Sequence, residues 1–271
     1  MRKRKGFTLI ELLVVISVIA LLMAILLPTL QRVRKQARAI ACQSNLHQWG
    51  PIFSMYTDDN NSRFFRCRDR PHPVVGPTWT KVMGPYYCDS KDLLLCPMAK
   101  KTRFEIPVRG IGAFGGKFSA WVSNYSASAI HPPIYGSYGL NEWVGDSKPG
   151  SLPFDRAGSW KTYLVQGAGN IPLLLDSALW NATPENHNPP PEYEGPWELL
   201  PLVDYMATFC INRHDRIING LFMDWSVRKI GLKELWTLKW NRNFDTAGPY
   251  TKAGGVLPED WPQWMRGFKD Y

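Results

Sequence analysis

Two stretches of this 271-residue chain place ionisable side chains where they could do chemistry. One is the apolar run FTLIELLVVISVIALLMAILL, whose only polar side chains are Thr8, Glu11 and Ser17. A carboxylate in hydrocarbon is costly, so Glu11 needs a positive partner. The other is RHDRIINGLFMDWSV, in which nine residues separate His214 from Asp224. Asn219-Gly220 between two apolar runs is a hairpin signal, and across such a hairpin His214 and Asp224 could face each other. They would then form a hydrogen-bonded pair that pins the turn. With Asp176, Asp204 or Asp215 as further oxygen donors they would instead make a metal site. No Ser-His-Asp, Cys-x-x-Cys or His-Glu-x-x-His arrangement is visible, which leaves an enzyme little support.

The elements that must position these groups begin with the apolar run, which spans 21 residues from Phe7 to Leu27. About 20 residues of helix cross a bilayer core. The net charge of +9 is concentrated around it. Arg2, Lys3, Arg4 and Lys5 precede the run, and Arg32, Arg34, Lys35 and Arg38 follow it, which leaves the rest of the chain near neutral. Basic residues at the entry hold the N-terminus in the cytoplasm, and a nucleic-acid partner is not expected. All five cysteines, Cys42, Cys67, Cys88, Cys96 and Cys210, then lie on the far side, where disulfides persist. Cys88 and Cys96, in CDSKDLLLC, are candidates for a local disulfide; separate buried thiols are the alternative.

A secretory signal would have a shorter apolar core and a small-x-small cleavage site, and a plain anchor leaves Glu11 unexplained. A basic leader ending in Gly6, followed by Phe-Thr-Leu-Ile-Glu, accounts for both. MRKRKGFTLIELLVVISVIALLMAILLP resembles the N-terminus of type IV pilins and type II secretion pseudopilins, with Gly6 before the cut, Phe7 after it, and Glu11 and Pro28 at matching positions. The resemblance implies that a prepilin peptidase cuts between Gly6 and Phe7 and methylates the Phe7 amine. The new amine is largely protonated near neutral pH and gives Glu11 a partner, in its own chain or in a neighbouring subunit. It also implies other pilin or pseudopilin subunits and an inner-membrane assembly platform as partners, with a secreted substrate as a further candidate. RHDRIINGLFMDWSV resembles the His-x9-Asp-Gly element of a large set of prepilin-like proteins, with Trp225 where those have glycine. Some pseudopilins carry a structural calcium, for which no ligand run is recognisable in this sequence.

Apolar positions at Val33, Ala37, Ile40, Ala41 and Leu46 carry the helix beyond the membrane, with Pro28 loosening it and Gly50-Pro51 breaking it near its end. Four segments are thus expected: leader 1–6, transmembrane helix 7–27, helical extension 28–57 and a soluble domain 58–271. Within the last, LLLC, TYLV, IPLLLDS, YMATFCIN and NGLFMDWSVRKI read as strands, and LKELWTLKW as a short helix. The fold expected is α+β, a long N-terminal helix packed on an antiparallel sheet with long loops. GIGAFGG lacks the strand-then-helix setting of a nucleotide site. Trp121, Trp143, Trp160, Trp180 and Trp197 sit in loop-like contexts that could stack on a glycan.

Two functions compete. The favoured one is a cleaved, methylated subunit that assembles through its N-terminal helix into a pseudopilus or pilus-like filament, as a minor or tip subunit. The other is a membrane-anchored surface protein that displays a glycan- or ligand-binding domain without polymerising. In both, the chain is single-pass in the inner membrane with its C-terminal domain periplasmic or extracellular.

Overall fold

The structure is a computed structural model that describes residues 8–65, 78–88, 90–102, 114–123, 133–146, 158–194 and 205–271. Gly6, Phe7, Cys67, Trp197 and Asp204 lie outside these residues. In chain order the helices are α1 (Leu9–Asp59) and α2 (Thr78–Tyr87). The strands are β1 (Lys101–Thr102), β2 (Ser119–Ser123), β3 (Ile134–Gly136), β4 (Tyr138–Asn141), β5 (Pro172–Asp176), β6 (Asn181–Ala182), β7 (Ile217–Phe222) and β8 (Val227–Gly231). Short 3-10 turns join them.

Helix α1 starts with a reciprocal cap. The Thr8 backbone N–H and hydroxyl donate to Glu11 Oε2 at 2.8 and 2.7 Å, and the Glu11 N–H donates back to Thr8 Oγ1 at 3.3 Å. Two orphan donors of the first turn are satisfied at once. The helix is continuous through Pro28, where Thr29 Oγ1 donates to the Leu26 carbonyl at 2.8 Å. It also continues through Gly50-Pro51, the expected break, and ends only at Asp59. Packing overrides the breaker: Trp49, Gly50, Ile52, Phe53, Tyr56 and Thr57 are all buried around it.

The chain divides into two units, Met1–Arg38 and Ala39–Tyr271. Every described residue of the first is exposed, apolar side chains included. Leu9, Ile10 and Leu21 are examples, at 87%, 70% and 64% exposure. This helix is long and apolar enough to cross a membrane.

The second unit is built on a five-stranded sheet of order β6-β4-β5-β7-β8. Its pairs are antiparallel except β4 with β6. A three-stranded sheet of order β1-β2-β3 stands apart from it. Residues 39–59 of α1 belong to this unit and bury Cys42, Leu46, Trp49 and Phe53 in a core shared with Leu173, Leu174, Leu175, Leu221 and Phe222. The fold is α+β.

Several sequence expectations are corrected. LLLC begins in a 3-10 turn (Lys91–Leu94), and YMATFCIN contains another (Met206–Thr208) rather than a strand. In TYLV only Thr162 makes a β contact, an isolated bridge to Arg63. LKELWTLKW holds a 3-10 segment, Leu232–Thr237. Short apolar runs are ambiguous between these states, because burial alone satisfies them.

The main hairpin also turns elsewhere. Asn219 and Gly220 lie inside β7, fully paired with Lys229 and Arg228 of β8. Gly220 is selected by packing, since a Cβ there would stand 2.6 Å from Ile230 Cδ1. The turn itself is Met223–Ser226, with Trp225 N–H bonding the Phe222 carbonyl at 3.0 Å and Phe222 N–H bonding the Ser226 carbonyl at 2.9 Å. Trp225 sits at φ 66°, the left-handed position that usually holds glycine in such a bulged turn. Its ring stacks at a tilt on Tyr163, 5.2 Å between centroids, which offsets the backbone strain.

Gly139, in the interior strand β4, has no room for a methyl group. A Cβ would lie 2.5 Å from the Leu179 carbonyl oxygen and 2.6 Å from Ser177 Cβ. Backbone must move to admit it, so Gly139→Ala is expected to destabilise the chain by roughly 1–3 kcal/mol. Urea unfolding of the detergent-solubilised chain, followed by Trp fluorescence, measures it as a lower midpoint at unchanged slope.

Candidate functional site

Four elements of the second unit converge on one buried point. Helix α1 brings Cys42, the segment after the Lys91–Leu94 turn brings Cys96, the end of β5 brings Asp176, and the loop before β7 brings His214. One ligand atom from each lies within 4.8 Å of all the others. His214 Nε2 is 3.1 Å from Asp176 Oδ2 and 3.5 Å from Cys96 Sγ. Cys42 Sγ is 3.6 and 3.7 Å from the two oxygens of Asp176. The side chains of His214 and Asp176 are 1% and 0% exposed.

Local structure fixes each donor. The Cys96 N–H is held by Ser137 Oγ at 2.5 Å, and the Ser137 N–H by the Leu94 carbonyl at 2.9 Å. His214 opens a tight turn in which its N–H bonds the Ile217 carbonyl at 3.1 Å. The two residues inside that turn, Asp215 and Arg216, both have positive φ, 62° and 68°. Two consecutive non-glycine residues in the left-handed region are strained, and the strain aims the imidazole inward. Tyr138 OH stands 3.3 Å from Cys42 Sγ.

Asp176 is the hub. Its Oδ2 also accepts the Asn219 N–H at 2.9 Å, and its Oδ1 accepts Arg213 Nη1 at 2.9 Å. Arg213 is fully buried, and each guanidinium N–H has an acceptor: Lys117 O from Nε, Ser137 O and Asp176 Oδ1 from Nη1, Gly116 O and Ser177 O from Nη2. Burial pushes Asp176 up, but the imidazole of His214 and the guanidinium of Arg213 outweigh it and hold the carboxyl well below the usual range. Burial opposes a charged His214, yet the Asp176 carboxylate raises it to about 9. Burial pushes the Cys42 thiol up, whereas hydrogen bonds from Cys42 and His214 and the charge of Arg213 draw Cys96 down to about 7 against its own burial. Cys96 is therefore the thiol disposed to ionise.

The sequence-predicted residues distribute unequally. His214 takes Asp176 as its partner, not Asp224. Asp224 instead closes the hairpin turn, its Oδ1 accepting the Ser226 N–H at 3.0 Å and hydroxyl at 2.6 Å. Asp215 lies in the strained turn. Cys88 is an exposed free thiol and Cys96 a buried free thiol, so the local disulfide suggested by CDSKDLLLC is not formed. Trp121, Trp143 and Trp160 are buried, at 0%, 8% and 7% exposure, and Trp180 packs edge-on against Trp121. Trp121, Trp143 and Trp160 are thus closed to a glycan, while Trp180 is half-buried. Arg213, Cys42 and the meeting of Cys42 with Cys96 were not visible in the sequence, because no local pattern marks a buried arginine or a contact between distant segments.

At the other end of the chain, Glu11 stands in the first turn of a helix whose apolar surface is exposed on all sides, capped only by Thr8. A family profile described as "Prokaryotic N-terminal methylation motif" matches residues 1–27, which contain this turn. Residues 1–27 are thus similar to the N-terminal methylation segment that this profile describes. The chain is also 48% identical, over 62 residues, to the "Type IV wide pilus major component PilA4" of Thermus thermophilus. That alignment covers 23% of this chain and 47% of the relative, so the chain spans about half the length of the curated relative it matches. No solved structure matches the chain.

Proposed function

We propose that this pilin-type chain is a filament subunit, cleaved after Gly6, methylated at Phe7, and assembled through its N-terminal helix into a type II secretion pseudopilus or a type IV pilus-like fibre. The observation that carries the reading is Glu11 within a helix that exposes apolar residues on every side. Such a surface is satisfied by lipid before assembly and by neighbouring helices after it. The match of residues 1–27 to a methylation motif and the similarity to a wide-pilus component support it. The basic residues before Phe7 place the N-terminus in the cytoplasm and the second unit in the periplasm or at the fibre surface. A glycine before the cut puts no side chain in a peptidase's way, and the cut would remove Arg2, Lys3, Arg4 and Lys5, which would tie this end to the membrane face. A second unit of this size is bulky for a closely repeating major subunit, which favours a minor or tip position. Other pilin subunits, the prepilin peptidase and an inner-membrane platform are the partners this role requires.

Intact-mass and N-terminal analysis of the chain from its own membranes tests the proposal. A polypeptide beginning at methylated Phe7 is expected, and Gly6→Val should leave the leader attached. Wild-type chain beginning at Met1 would remove the assembly role along with the processing.

A further inference from the structure

We propose that Cys42, Cys96, Asp176 and His214 form a structural zinc site. The reading is independent of filament assembly and rests on the geometry of the cluster alone. A tetrahedral zinc ion with bonds of about 2.3 Å to sulfur and about 2.0–2.1 Å to nitrogen and oxygen requires ligand separations of about 3.5 Å for sulfur with nitrogen or oxygen, and about 3.3 Å for nitrogen with oxygen. The separations present are 3.5 Å for Cys96 Sγ with His214 Nε2, 3.7 Å for Cys42 Sγ with Asp176 Oδ2, and 3.1 Å for His214 Nε2 with that same oxygen. The remaining pairs fall within 4.8 Å. Two thiols, an imidazole and a carboxylate thus meet at one buried point.

Charge and the surrounding groups agree with this assignment. With zinc bound, two thiolates and Asp176 supply three negative charges, balanced by the divalent ion and the buried Arg213. Without Arg213 the site would carry a net negative charge in the interior, at a high desolvation cost. Binding expels two protons. Either both thiols release theirs to solvent while His214 is already neutral, or Cys42 and a protonated His214 release theirs while Cys96 is already a thiolate. Tyr138 OH donates to the Cys42 sulfur, and Arg213 with the Asn219 N–H fix the carboxylate that would bind through Oδ2. His214 Nδ1 is buried with no partner among the described residues, so Nε2 is the nitrogen the protein holds in place. Two sulfurs and one imidazole suit zinc; calcium would need six to eight oxygens, which this point does not offer.

Four protein ligands leave no open position, so the ion is structural and not hydrolytic. Its effect is mechanical. It joins α1 at Cys42 to the sheet at Asp176, to the loop at His214 and to the segment of Cys96, so four separate stretches of chain are clamped at one buried point.

The test is metal analysis of the full-length chain, purified in detergent with a thiol reductant and no chelator. About one zinc per chain is expected, retained on dialysis. Cys42→Ser with Cys96→Ser, and separately His214→Ala, should lower zinc retention about tenfold or more. Cobalt(II) exchanged into the wild type should give a near-ultraviolet thiolate-to-cobalt charge-transfer band and the intense visible bands of tetrahedral coordination. That spectrum needs no variant, so it decides the matter even where the variants fail to fold. Folded, reduced wild type without zinc, a cobalt complex lacking the thiolate band, or zinc retained undiminished by the double-serine variant would each overturn the site. So would wild type isolated from its membranes at a mass two hydrogens low, with Cys42 bonded to Cys96 and no metal bound.

Discussion

Arg213→Ala is expected to unfold the second unit, or to leave it with little residual stability, although position 213 touches no solvent. The guanidinium spends its whole donor set inside the protein, on Asp176 and on the carbonyls of Gly116, Lys117, Ser137 and Ser177. Truncation removes one donor from each of those acceptors and leaves Asp176, still facing His214, as a buried carboxylate short of one of its two counter-charges. Removing one partner of a buried ion pair costs about 3–5 kcal/mol, against a total stability of about 5–15 kcal/mol. The carbonyls that lose a donor add to that. Arg213→Lys should recover only part of the loss, since three donors on a flexible stem cannot replace a planar fork with five. Urea titration of the full-length chain in detergent measures the drop, and the surface pair Arg63–Asp146 supplies the control. Arg63→Ala breaks a 2.9 Å ion pair whose arginine is 51% exposed, and should shift the midpoint little. Equal effects at the two arginines would mean that the guanidinium network does not hold the unit together.

How far the sequence led is clearest around the same residues. His214 stood out because RHDRIINGLFMDWSV resembles the His-x9-Asp-Gly element of prepilin-like proteins, and Asp176 was already among its candidate partners. Asp224 was the wrong first choice because Asn219-Gly220 reads as a turn. In the fold that dipeptide is strand, because Gly220 must pass beneath Ile230 and Leu175 and the Asn219 N–H must reach Asp176. Moving the turn to Met223–Ser226 sends Asp224 to the hairpin tip and frees His214 to point inward. Trp225 concealed the true turn, since an indole at φ 66° is not a turn signal. The long helix and the α+β class were legible because an apolar run of membrane length and short apolar runs between turn residues are local signals. Its far end was read close to Asp59, but its continuity was not: Gly50-Pro51 looks like a break, and the burial of Phe53 and Tyr56 explains why the helix carries on. The convergence of Cys42 with Cys96 is non-local and leaves no trace in spacing.

At the N-terminus, Glu11→Ala should abolish incorporation into a filament while leaving the chain inserted, cleaved and folded. In the described structure the carboxylate is engaged only by Thr8, at 2.8 and 2.7 Å. A cap of this kind contributes about 0.5–2 kcal/mol, too little to justify an ionised group at the edge of hydrocarbon. The proposed processing would supply the missing term. Cleavage before Phe7 would create an ammonium close in sequence to Glu11, and in the proposed filament a neighbouring subunit's ammonium would reach the same oxygens when two helices pack side by side. Alanine removes the counter-charge and leaves the second subunit's amine unpaired in a low-dielectric contact, a cost of several kcal/mol per interface that recurs at each added subunit. Glu11→Gln separates charge from hydrogen bonding: the amide keeps a carbonyl oxygen for the Thr8 donors but cannot neutralise an amine, so it should assemble as poorly as alanine. The measurement is the fraction of chain recovered in sheared or sedimented filaments, with intact mass to confirm cleavage and methylation of each variant. Glutamine assembling like wild type would mean that Glu11 serves only as a helix cap, and that the register between subunits is set by the apolar surface.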